Sequence, residues 1–220
     1  VSVSNNSQSS PIGLRAGGRP VRRLVQLYAG LLGYGASAGL MVRARLGLDP
    51  WDVFHQGLAK RLGVPLGWVV IGVGALVLLL WVPLRQRPGL GTVSNLVVVG
   101  LALDWTLDVL PAPGPLWARW ALLVAGVLGN GLSTGLYIGA RLGPGPRDGL
   151  MTGLAARGHS IRLVRTGIEL TVLAAGFLLG GQVGLGTLLY AVSIGPLAHL
   201  FIPLCAVRTA EPVSPAPAPA

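Results

Sequence analysis

Charge is scarce in this chain. Asp, Glu, Lys and Arg make up 11% of its 220 residues, where a soluble domain carries about 25%. Acid is scarcer than base: seven Asp and Glu face seventeen Lys and Arg, for a formal net charge of +10. Cys205 is the lone cysteine, which excludes an internal disulfide and a cysteine metal cluster. It ends an apolar run and reads as a small buried hydrophobe. His55, His159 and His199 are not set in pairs at a ligand spacing, so no metal site is expected. No GxxxxGK[ST] loop and no G-x-S-x-G elbow occurs. Neither an enzyme nor a cofactor is expected.

Apolar sequence takes up the space. Hydrophobic residues reach 52% and mean hydropathy is +0.67. Val69–Leu80, Val93–Leu103, Leu122–Ala140 and Val172–Leu197 contain no Asp, Glu, Lys or Arg. A helix crossing a bilayer needs about 20 mostly apolar residues. The pattern predicts an all-α, polytopic transmembrane bundle of about six spans. They are placed near Leu24–Val42, Leu66–Leu84, Thr92–Leu110, Trp117–Ala140, Ile161–Leu179 and Gly184–Val207. The third and fifth are the weakest, because Asp104, Asp108 and Glu169 fall within them. Trp51, Trp81, Trp117 and Trp120 lie near span ends, where indole rings suit the interface.

The arginines cluster at the ends of apolar runs, so the net charge reads as anchoring and topology. No interleaving of aromatic and basic residues suggests nucleic acid. With the N-terminus in the cytoplasm, twelve basic residues fall inside and five outside, which favours that orientation. Basic residues precede the first apolar run, but no cleavage context follows, so a retained span is expected. Residues 1–20 are polar, then rich in Gly, Pro and Arg, and residues 209–220 are rich in Pro and Ala. Both read as disordered tails.

The chain repeats itself. Leu32–Ala59 matches Leu128–Ala155 at fifteen of twenty-eight positions, at an offset of 96. Gly33, Gly35, Ser37, Gly39, Arg45, Pro50 and Asp52 recur as Gly129, Gly131, Ser133, Gly135, Arg141, Pro146 and Asp148. Further on, GLGT at Gly89–Thr92 recurs at Gly184–Thr187, and Gly100 recurs as Gly195. The chain thus divides into repeats over residues 21–112 and 113–208. Three spans per repeat force the second to enter from the opposite side, giving an inverted pair. A fourth crossing per half, through the Pro-x-Asp segment, would instead make the repeats parallel. That segment is short and charged.

In the first copy Asp49 is a helix cap, Pro50 fits the first turn and Asp52 sits near the positive helix end. The second copy has Gly145, Pro146 and Asp148. Each copy predicts a helix of about three turns, interfacial or re-entrant. The acids either only cap these helices or, with Arg45 and Arg141, form a polar gate or solute site. Equal spacing in both copies suggests that each arginine pairs with the aspartate of its own copy. Gly35 with Gly39 and Gly131 with Gly135 are small-residue pairs that predict close helix packing near the pseudo-symmetry axis. Glu169 lies deep in the fifth span, with Arg165 one turn earlier on the same face. Asn130, with Ser133 and Thr134, is placed on the same polar path.

The two G-x-x-P-x-D copies, Gly47–Asp52 and Gly143–Asp148, each follow a long glycine-rich span. With the two GLGT stretches, they resemble the YitT/YczE-type bacterial integral membrane proteins over about Leu24–Val207. The second copy departs by having Gly145 where the first has Asp49. The resemblance implies a multi-pass protein of the bacterial plasma membrane and carries no reaction onto individual residues. Two functions remain open: transport of a small solute, or a scaffold that regulates a partner protein. Membrane lipids are the partners expected in either case, and the oligomeric state is left open.

Overall fold

The computed structural model describes residues 20–207, and the two tails lie outside them apart from Pro20. The described residues form eight helices and no strand: α1 (Pro20–Ala44), α2 (Pro50–Leu62), α3 (Leu66–Leu84), α4 (Leu90–Val109), α5 (Leu116–Gly139), α6 (Pro146–Ala155), α7 (Ile161–Leu178) and α8 (Leu185–Cys205). Each half runs long, short, long, long. Five helices, α1, α3, α4, α5 and α8, are long and apolar enough to cross a membrane. The expected fifth span forms α7, but it carries Arg162, Arg165 and Glu169 in 18 residues and stands apart from the five.

The turn that ends the first long helix of each half is the same turn twice. Arg45 and Arg141 both take φ 53°, and Gly47 and Gly143 take φ 119° and 125°. A left-handed arginine carries a steric cost. Each turn is locked from the other half. Arg23 Nε donates to Ala140 O (2.9 Å) and its Nη2 to Arg141 O (2.8 Å). Arg119 Nε donates to Ala44 O (2.8 Å) and its Nη2 to Arg45 O (2.5 Å). The last carbonyls of a helix lack intrahelical donors, and a cation there also meets the negative end of the dipole. Gly91 N–H donates to Leu142 O and Gly186 N–H to Leu46 O, each at 2.8 Å.

Helices α1 and α5 form the seam between halves and run antiparallel. A Cβ on Gly30 would press on Ser133, Leu136 and Tyr137, whereas one on Gly126 would press on Ser37 and Met41. Gly33 faces Ser133 and Gly129 faces Ser37. The small pairs singled out in the sequence serve a different contact. Gly35 and Gly39 face α4 at Val99, Ala102, Leu103 and Thr106, and Gly131 and Gly135 face α8 at Leu197 and Phe201. The seam belongs to glycines two to five residues earlier in each helix. In each half the first and fourth helices run parallel, since the later glycine meets the later residue.

The short helices are exchanged. Helix α2 packs on α7, and α6 packs on α3. A side chain on Gly57 would strike α7 at Gly176 O, and one on Gly149 would strike the Trp81 ring of α3. The Trp81 indole N–H donates to Pro146 O at 3.0 Å, which fixes the start of α6.

Candidate functional site

The N-termini of α2 and α6 converge. Each helix starts with proline, which lacks the N–H that the first turn cannot use. Asp49 caps α2: its Oδ1 accepts from Trp51 N–H (3.0 Å) and Asp52 N–H (3.2 Å). Gly145 holds the equivalent place on α6 and offers no side-chain cap. Arg147, where the first copy has Trp51, reaches from α6 to α2. Its guanidinium lies 4.0 Å from Asp49 Oδ1 and 3.8 Å from Asp52 Oδ1. Its Cζ sits 5.0 Å from the centroid of the Trp51 ring, in cation–π range. His55 Nδ1 is 3.1 Å from Asp52 Oδ1 and completes the cluster.

Asp49, Asp52 and His55 are all buried. Burial, and next the Asp52 carboxylate, push the Asp49 carboxyl up to about 8, against the opposing pull of Arg147. Burial and the Arg147 charge push the His55 imidazole well below its usual value. A neutral ring there accepts or donates at Nδ1 without adding charge.

Asp148 lies beside Arg147 but faces elsewhere. Tyr137 OH donates to its Oδ2 at 2.6 Å. The Tyr137 ring stacks edge-on against Tyr34 with centroids 6.0 Å apart. A cavity of about 70 Å³ adjoins Arg147 and Asp148, walled by Tyr34, Asn95 and Tyr137. A second, of about 290 Å³, opens on the other side of Asp148 toward α7 and α8. Asn130 is buried behind it. Its Oδ1 accepts from Tyr190 OH (3.1 Å), while its amide nitrogen has no partner among the described residues. Thr134 lines this cavity, whereas Ser133 is spent on the α1–α5 seam.

The proposed pairing within each copy is corrected. Asp52 is held by Arg147 and His55, and Arg45 is exposed on the turn, where its carbonyl accepts from Arg119 and Gln182. Arg141 is exposed as well, and Asp148 takes Tyr137. Glu169 pairs with Arg165 on its own helix at 2.8 Å and is one-third exposed, so it does not join the Arg147 cluster. Arg147, His55, Trp51, Tyr34, Tyr137 and Tyr190 were not among the expected site residues. One signal was available for Arg147. The copy that lacks the Asp49 acid carries a base two residues on, and the two departures compensate.

The chain matches the Family of unknown function (DUF6198) over residues 21–203. It is 43% identical over 173 residues to an "Uncharacterized protein" of Haemophilus influenzae, covering 78% of this chain and 79% of that one. It is 35% identical over 187 residues to the "Uncharacterized membrane protein YczE" of Bacillus subtilis, covering 83% and 86%. The "Uncharacterized protein YyaS" of the same bacterium is 28% identical over 182 residues, covering 80% and 90%. No solved structure gives a match. Five apolar helices and these relatives together place the chain among multi-pass membrane proteins.

Proposed function

The chain belongs to the Family of unknown function (DUF6198), and we propose that it transports a small polar solute by way of two facing half-helices. In this reading α1, α3 and α4 cross the membrane in one arrangement and α5, α7 and α8 repeat it upside down. That makes six crossings, with α7 included. Helices α2 and α6 dip in from opposite faces and present their N-termini to each other at mid-depth. The N-terminus of the chain lies in the cytoplasm. The antiparallel α1–α5 seam and the reciprocal arginine caps support the inversion.

One observation carries the transport reading: Arg147 is suspended between Asp49 and Asp52 where the two short helices meet, with open space beside it. A buried ion pair is weak evidence for stability, because desolvation offsets most of its attraction. Membrane proteins that keep charge at depth commonly use it on a solute or ion path. Positive helix ends facing a midplane site are the recurring device of inverted-repeat transporters.

The test is solute flux in reconstituted vesicles. Asp52→Asn and Arg147→Gln are expected to abolish flux while the protein still elutes as a folded species. Stable copurification with one partner and no flux for any solute would favour the scaffold instead. Topology is checked separately. Tags placed after Gly63 and after Gly158 should be reached from opposite sides of the membrane, and finding both on one side would end the inverted arrangement.

A further inference from the structure

The halves part company at their last two helices. In the first half α3 lies against α4. A Cβ on Gly100 would sit 2.6 Å from Gly67 O and 2.7 Å from Ile71 Cγ1. Gly67 N–H donates to Asp104 Oδ1 at 2.7 Å. Val70, Val99 and Leu103 share one buried cluster. In the second half α7 has no comparable packing with α8. A Cβ on Gly195, the counterpart of Gly100, meets nothing within 4 Å among the described residues. The counterparts of Val70, Val99 and Leu103 are Arg165, Ile194 and Ala198, and all three line the cavity of about 290 Å³.

We infer that this cavity binds a small zwitterionic solute, and that α7 closes on α8 over it as α3 lies on α4. The inference rests on the transport reading and names its substrate class. Asp148 on α6 and Arg165 on α7 are the opposite charges that face the space. A simple cation meets Arg165 and a simple anion meets Asp148. A molecule carrying an ammonium and a carboxylate a few bonds apart satisfies both. Ile194, Ala198 and Ile202 leave one wall for an apolar substituent. Arg165 is already tethered to Glu169 and more than half exposed, so its charge is accessible and its partner replaceable. In the first half Val70 and Gly74 stand where Arg165 and Glu169 stand. That half closes by apolar contact and the Gly67–Asp104 hydrogen bond, whereas the second needs a ligand to bridge its charges.

The experiment follows the gap directly. Thr166 is the counterpart of Ile71, so Thr166→Cys with Gly195→Cys, in a Cys205→Ala background, reports closure. The protein is reconstituted in lipid vesicles and oxidised with copper phenanthroline. The probes are the twenty standard amino acids and glycine betaine, each added singly, with acetate and ethylammonium as single-charge controls. At least one zwitterion should raise the disulfide yield several-fold, and the two controls should not. Asp148→Asn should remove the response. No response to any zwitterion, or an equal response to acetate or ethylammonium, overturns the inference. Gly195→Cys alone gives a second readout: maleimide labelling should slow under the same zwitterion, and unchanged labelling overturns closure. Flux measured in the same vesicles separates the two claims. Closure without flux keeps this site and removes transport. Flux of another solute without closure keeps transport and removes this site.

Discussion

The first half of the molecule packs α3 on α4 and places two acids on its short helix; the second leaves α7 apart from α8 and places a base on its short helix. Their shared features are scaffold: the left-handed turns, the arginine caps, the glycine contacts. Their differences gather at the meeting point of α2 and α6 and along α7. A duplicated chain kept for packing alone has no reason to exchange Asp49 and Trp51 for Gly145 and Arg147 in complementary fashion. Divergence between copies marks where chemistry has been placed.

That contrast can be broken at several points. The largest effect is expected at Arg147. Removing its charge by Arg147→Met leaves buried Asp52 without its main counter-ion, a loss of about 3–5 kcal/mol. Denaturant unfolding in detergent measures it, and adding Asp52→Asn should restore part of the loss. Next comes a matched pair of glycines. Gly100→Ala forces α3 and α4 apart and should cost about 1–3 kcal/mol. Gly195→Ala, at the equivalent position with open space around it, should change stability by no more than about 0.5 kcal/mol. Equal losses at both would show that the halves are packed alike.

A pH series is expected to give a smaller change. Asp49 is raised to about 8 from 3.8, so the folded protein binds the extra proton between those values. Stability from this group is therefore present at low pH and lost as pH rises toward 8. His55 is shifted the other way, and its contribution grows with pH up to its ordinary value of about 6.5. Above that value only the Asp49 trend remains. The melting temperature should fall between pH 6.5 and 8, and Asp49→Asn, which keeps the cap, should flatten the fall. A small effect is expected at Glu169→Gln. Its pair with Arg165 is largely solvated and contributes at most about 1 kcal/mol to stability. A thermal shift beyond a few degrees would place Glu169 in a tighter site than it occupies here.

Local chemistry was legible in the sequence, and long-range chemistry was not. The Asp49 cap and the Pro50 start follow from neighbouring residues, so both short helices were expected where they form. The six apolar segments fall on α1, α3, α4, α5, α7 and α8. Reading glycine pairs by spacing alone put them on the wrong partner, because α1 and α5 each have glycines on two faces. Asp52 was expected to take the nearby Arg45. Its base instead arrives from residue 147 of the other half, across a reversal that no local rule encodes. The separation of α7 from α8 had no signal beyond the charges on α7.

Arg23 and Arg119 each finish a helix that belongs to the other half. Neither half, cut free, would own the donors that its turn requires. The donors and the acceptors of those bonds are nevertheless present in each half, Arg23 with the Arg45 turn and Arg119 with the Arg141 turn. The present chain is in this sense a homodimer made permanent by a linker: the turns, which need each other's donors, stay alike, while the residues after them differ.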